Sequence, residues 1–215
     1  LGRIGIARGA SPAMIYIQHR VNTLEHLRSV PLHYGVELDL RDHGDRLILR
    51  HDPFGDGEEF EPYLAAYRNV GPMILNIKSE RVELRVLELL AKHPINDYFF
   101  LDSSYPMIRL LNAKGEKKIA VRFSEFEPLE GALALAGQVD WVWVDCFTKL
   151  PLDPMSYSVL SKHFKICIVS PELQGRPKES IPAFAEQLRP FPPTAICTKS
   201  PETWQSCGGI FAEVT

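Results

Sequence analysis

The chain has 215 residues, 45% hydrophobic and 24% charged, which suits one large domain and excludes disordered and fibrous classes. Twenty-four Lys and Arg against 27 Asp and Glu leave a formal net charge of −3 with no basic run, so nothing favours a nucleic-acid partner. No apolar run reaches the ~18 residues of a membrane helix.

In chain order, short β-rich runs alternate with amphipathic stretches. Strands are expected at Met14–Ile17, Val36–Leu40, Met73–Ile77, Tyr98–Leu101, Ile119–Phe123, Trp141–Asp145, Lys165–Val169 and Ala195–Thr198. Helices are expected at Thr23–Val30, Glu80–Lys92, Tyr105–Ala113, Pro128–Ala136, Pro154–His163 and Lys178–Leu188. Leu47-Ile-Leu49 follows the turn-like Asp42-His-Gly-Asp45 and reads as the returning arm of a hairpin. Several strand runs are nearly continuously apolar, as in a parallel sheet covered on both faces. Eight strands alternating with helices predict an α/β fold, a (β/α)8 TIM barrel, as a single domain over residues 1–215. The rival open sheet finds no G-x-G-x-x-G and no phosphate-binding loop motif.

Charge collects after the strands. His19-Arg20 follow the first, and Glu37 and Asp39 share one face of the second, because alternate strand residues point the same way. The hairpin arm ends in His51-Asp52, and Lys78 follows the third main strand, two positions after Asn76. Asp102, Arg122, Asp145, Glu172 and Lys199 follow the others. In a barrel, these ends converge on the rim where active sites lie. Carboxylates inside a barrel need compensation, either from a hard divalent cation or from Arg20, Arg41 or Lys78. Two histidines, paired carboxylates, an arginine and a lysine suit cleavage of a phosphodiester: cations offset the phosphate charge while one His removes a proton and another donates one.

His19-Arg20, Glu37-Leu-Asp39 and His51-Asp52 together resemble the glycerophosphodiester phosphodiesterase family, within the phosphatidylinositol-phospholipase-C-like superfamily. Asn22-Thr23-Leu24, Tyr34-Gly35 and Ile77-Lys78 extend the match over about the first eighty residues. The resemblance implies a barrel that cleaves a small phosphodiester with bound Mg²⁺ or Ca²⁺. Carried over by position, His19 and His51 are the catalytic pair. Arg20 and Lys78 bind the phosphate, Glu37 and Asp39 bind metal, and Asp52 supports His51. Asn76 stands where the family usually has an acidic third ligand, and an amide can donate oxygen but no charge. Val21 replaces a usual glycine, and little room remains between the second and third main strands for a substrate-capping domain.

Two readings stand beside hydrolysis: a cyclising lyase using the same histidines, and a non-catalytic barrel that binds a phosphate ligand. A Schiff-base aldolase at Lys78 or Lys199 is a weaker third. His33, His43, His93 and His163 read as surface residues, and Trp141 and Trp143 by default as packing against the flanking helices, the alternative being a barrel-interior face on which one lines a substrate pocket. The loops 123–127 and 170–175 fall at the expected rim, placed to recognise a polar group. Cys146, Cys167, Cys197 and Cys207 lack metal-site spacing and read as buried thiols in a reducing, cytoplasmic setting.

Overall fold

The computed structural model describes residues 14–208. Ten strands and eight α-helices follow one another along these residues. They begin β1 (Ile15–Gln18), α1 (Leu24–Ser29), β2 (Gly35–His43), β3 (Arg46–Leu49), β4 (Glu58–Glu59) and α2 (Phe60–Ala66). Next come β5 (Met73–Ile77), α3 (Glu83–Leu90), β6 (Tyr98–Leu101), α4 (Tyr105–Ala113), β7 (Ala120–Phe123) and α5 (Leu129–Leu133). The last are β8 (Trp141–Val144), α6 (Pro154–His163), β9 (Lys165–Val169), α7 (Ile181–Leu188), β10 (Ala195–Thr198) and α8 (Pro201–Ser206).

Eight of these strands form the expected (β/α)8 barrel. From β1, parallel pairing runs through β2, β5 and β6 in one direction and through β10, β9, β8 and β7 in the other. The two arms meet at a thin seam. There β6 and β7 share one parallel bridge, Phe100–Ile119, with the Phe100 N–H donating to the Lys118 carbonyl at 2.9 Å. Strand β2 outruns the barrel. Its end pairs antiparallel with β3, which pairs with β4, so the expected hairpin rises beside the mouth.

Side-chain alternation divides the core. Outward residues such as Val36, Leu38, Leu75 and Phe100 pack under the helices. Inward residues form a separate cluster including Ile17, Ile74, Phe99, Trp141, Trp143 and Cys167. Phe99 stacks on Trp141 with ring centroids 4.4 Å apart, spanning the interior below the thin seam. The tryptophans therefore do not pack against the flanking helices as expected. They point into the barrel, because their register on β8 puts them in phase with Ala120, Arg122 and Cys167 on the neighbouring strands.

Two helices lie outside the sequence expectation. Helix α2 buries Phe60, Tyr63 and Leu64 at helical spacing, and its Pro62 is tolerated because it sits in the first turn. Helix α8 starts on Pro201 and buries Trp204. The four cysteines are free and buried, as expected. Among the described residues, no helix is long and apolar enough to cross a membrane.

Candidate active site

The site is assembled from strand ends. Along β2, Glu37 and Asp39 point inward, in register with Ile74 and Asn76 of β5. Both carboxylates are almost completely buried. The Arg20 backbone N–H donates to Glu37 Oε2 at 2.7 Å, and Asn76 Nδ2 donates to Glu37 Oε1 at 2.8 Å. Asp39 exchanges two hydrogen bonds with Asn22: its Oδ2 accepts from Asn22 Nδ2 and its N–H donates to Asn22 Oδ1, each at 2.8 Å. The β1–α1 loop is thereby fastened to β2. Arg20 lies at the bend with a φ of 56°, a left-handed conformation uncommon for a side-chain-bearing residue. The buried Tyr63 hydroxyl, donating to the Val21 carbonyl at 2.9 Å, anchors the same loop from below.

His51 reaches the mouth on the hairpin. Arg41 donates to the His51 carbonyl at 2.9 Å, and Arg50 donates to the carbonyls of Asp52 and Asp56 at 3.0 and 2.7 Å. Glu58 on β4 accepts from the Leu24 N–H at 2.6 Å, tying the hairpin to the start of α1. Arg41 is thus spent on the hairpin backbone; the cations nearest Asp39 are Arg20 at 3.6 Å and Lys78 at 3.8 Å.

From Asp39 a ladder of alternating charge crosses the mouth. Lys78 sits 3.2 Å from Asp102, and Arg122 holds Asp102 at 2.6 Å and also pairs with Asp145. Gln174 donates to the other oxygen of Asp145 at 2.9 Å. The Asp102–Arg122 pair spans the gap above the β6–β7 bridge, so the ladder completes with charge the seam left open by the backbone. Asp102, Arg122 and Asp145 stand at the C-terminal ends of their strands in the sequence, and that position is the signal by which they belong to the site. Lys78 Nζ lies between Asp39 at 3.8 Å and Asp102 at 3.2 Å, a placement that suits charge pairing rather than attack on a carbonyl.

Burial and partners separate the two histidines. Burial pushes His19 down to about 3, helped by Arg20, Lys199, His51 and Lys78, so the imidazole is uncharged at neutral pH. Its Nε2 lies 3.7 Å from Glu37 Oε2. His51 instead places Nδ1 2.8 Å from Asp52 Oδ1; this partner fixes the ring and leaves Nε2 for a ligand. Burial, and then the neighbouring Asp39, push Glu37 up from the usual carboxylate range.

His19, Arg20, Asp39, His51, Asn76 and Arg122 line one cavity of about 230 Å³. A second, more open cleft of about 640 Å³ lies between the β1–α1 loop and the hairpin, and Arg20 and His51 line both. His33, His43 and His163 are exposed and His93 is half-buried; all four stand away from these clefts.

Among the described residues no three His, Cys, Asp or Glu side chains converge as a metal nest. The nearest equivalent is two carboxylates and an amide. Asn76 Oδ1 is buried without a hydrogen-bond partner, beside Glu37 and Asp39. An unsatisfied oxygen next to two crowded carboxylates is chemistry that fits a hard cation, with one charge fewer than three acids supply.

No protein-family model and no curated protein matches the chain. Solved structures do. The chain is similar to a glycerophosphoryl diester phosphodiesterase from Parabacteroides distasonis, with a TM-score of 0.68 and 13% identity over 94% of this chain and 88% of that one. It is similar to a glycerophosphodiester phosphodiesterase from Agrobacterium tumefaciens, with a TM-score of 0.67 and 13% identity over 89% of this chain and 99% of that one. The chain therefore shares the barrel fold of solved glycerophosphodiester phosphodiesterases.

Proposed function

We propose that this protein cleaves small phosphodiesters, with His19 and His51 as the acid–base pair. The observation that carries the reading is the meeting of two clefts at Arg20 and His51. A phosphodiester has two alcohols on one phosphorus, and this arrangement gives each alcohol its own space. Arg20 and Lys78 offset the phosphate charge, and Arg20, half exposed, is free to turn its guanidinium onto a non-bridging oxygen. Glu37, Asp39 and Asn76 would hold Mg²⁺ or Ca²⁺, which when bound adds positive charge beside the phosphate.

His19, with Glu37 Oε2 3.7 Å from its Nε2, takes the proton from an attacking water as the new P–O bond forms. His51, its ring held through Nδ1 by Asp52, gives a proton to the departing oxygen as the old P–O bond breaks. The products are a phosphomonoester and an alcohol. An attacking hydroxyl on the substrate itself would give a cyclic phosphate with the same proton transfers.

The test is a phosphodiester panel with Mg²⁺, Ca²⁺ or Mn²⁺, with products read by phosphorus NMR. Cleavage by the wild type and its loss in His19→Ala and His51→Ala is expected; the NMR shift separates hydrolysis from cyclisation. Failure of the wild type to cleave any diester overturns the reading. One observation favours a second reading, a binding barrel without metal: Glu37 already accepts N–H groups from Asn76 and Arg20 on both oxygens. Calorimetry showing diester binding unchanged by chelator and by His19→Ala would select it.

A further inference from the structure

The thin β6–β7 seam leaves a slot in the barrel wall. Alternate residues of β7 bond β8: the Trp141 N–H donates to the Ile119 carbonyl and the Asp145 N–H to the Phe123 carbonyl. The backbone groups of Ala120 and Arg122 therefore turn toward β6, where strand pairing among the described residues stops at the Phe100–Ile119 bridge. Asp102, just past β6, has a φ of 65°, which ends the strand and sends the chain on toward α4. A cavity of about 210 Å³ lies here, walled by Ile108 of α4, Ala120 and Val121 of β7, Pro128 and the exposed Tyr105. Arg122 lines both this slot and the cavity of His19 and His51; the two share no other residue.

Charge around the slot is unbalanced. Asp102 and Glu127 both line it. Arg122 already holds Asp102 at 2.6 Å and pairs with Asp145, while Lys78 divides between Asp102 and Asp39. Glu127 makes no ion pair among the described residues, and its Oε2 is buried without a hydrogen-bond partner. Its backbone is nonetheless fixed, the N–H donating to Ser124 Oγ at 3.1 Å and the carbonyl accepting from the Ser124 N–H at 3.3 Å. Ser103 Oγ, from the opposite wall, is also buried without a partner. Three carboxylates thus stand around one guanidinium, and the remaining oxygens are short of donors.

We infer that this slot is a second binding site, for a small organic ammonium whose N–H groups meet Glu127 and whose apolar body packs on Ile108 and Val121. The uncompensated carboxylate calls for a cation, and the partnerless oxygens call for hydrogen-bond donors. The apolar walls and the Tyr105 ring favour an organic cation over a metal ion. The volume suits one ring with a short arm, since an apolar cavity of about 150 Å³ takes up benzene. Gly131 leaves the space free: a β-carbon there would meet only the Tyr105 hydroxyl, at 3.7 Å, and a longer side chain would enter the slot. The site lies outside the two phosphodiester clefts and does not rest on the phosphodiesterase reading.

Calorimetry at pH 7 with benzylamine, benzyl alcohol and methylamine tests it, since the first shares its ring with the second and its charge with the third. The wild type is expected to bind benzylamine about tenfold more tightly than either of the others. Glu127→Gln should bring benzylamine down to the affinity of the alcohol. Gly131→Leu should weaken the amine and the alcohol together, with thermal melting to check that it is folded; Glu127→Gln carries the test by itself if it is not. Benzylamine that fails to bind the wild type at millimolar concentration, or binds no better than benzyl alcohol, overturns the inference. So does amine binding that survives Glu127→Gln, which would place the cation elsewhere, as at Glu37 and Asp39. Each of these outcomes leaves the phosphodiesterase reading standing, because the diester panel is read separately.

Discussion

Along β5 the inward side chain changes from Ile74 to Asn76, and Lys78 follows just beyond the strand; along β7 it changes from Ala120 to Arg122, and along β8 from Trp141 and Trp143 to Asp145. The same strands thus build two interiors within a few residues of each other. The lower one is closed by apolar contact, with Phe99 on Trp141 at its centre. The upper one is held by alternating charge from Asp39 through Lys78, Asp102 and Arg122 to Asp145. Burial in the lower region contributes stability directly. In the upper region, attraction largely offsets desolvation, so its charges are better explained by chemistry than by folding.

Five substitutions would break or sharpen that contrast. The largest effect is expected from His19→Ala and His51→Ala, each lowering kcat/KM by about 10²- to 10⁴-fold. Thermal melting should shift little in either variant, and a melting loss matching that of a lower-region truncation would break the contrast. Phe99→Ala, at the lower centre, should cost about 3–5 kcal/mol in denaturant unfolding. Its diester affinity below the transition should persist; selective loss of affinity would mean the regions are not separable.

Arg122→Met comes next, with about 2–3 kcal/mol lost at pH 7, because Asp102 and the buried Asp145 lose their shared guanidinium. Burial already pushes Asp145 up to about 6 despite Arg122. A carboxyl with a raised value in the folded state binds its proton more readily folded than unfolded, so falling pH favours folding. The loss in Arg122→Met should therefore be largest above pH 6 and shrink below it, as urea melts across that range would read. A pH-independent loss would point to lost packing instead. Asn76→Asp has the smallest expected effect, about tenfold tighter Mg²⁺ or Ca²⁺ binding by calorimetry. Unchanged metal affinity would mean that Asn76 does not face the cation.

Much of the site was legible because its residues obey strand arithmetic. Glu37 and Asp39 are two apart and do share an inward face, and His19 and Arg20 do follow β1 at the mouth. Asn76 also falls where spacing puts it, though its role as a donor to Glu37 depends on the β2–β5 register. Arg41 illustrates the limit. From the sequence it is a candidate to neutralise the carboxylates, yet the hairpin carries it to the His51 carbonyl. Trp141 and Trp143 mark the same limit, since strand alternation allows either face and only neighbouring registers choose the interior.

The sequence by itself determined the alternation of strands and helices, the count of eight barrel strands, the hairpin and the polar residues that end each strand. Those properties are local: periodicity, turn residues and spacing act within a few positions. Only the tertiary structure decided that β6 and β7 close through one bridge and a charge pair, and that two clefts meet at Arg20 and His51. Each joins residues on different strands or loops, and the energies that select such contacts exist only once the barrel has brought them together.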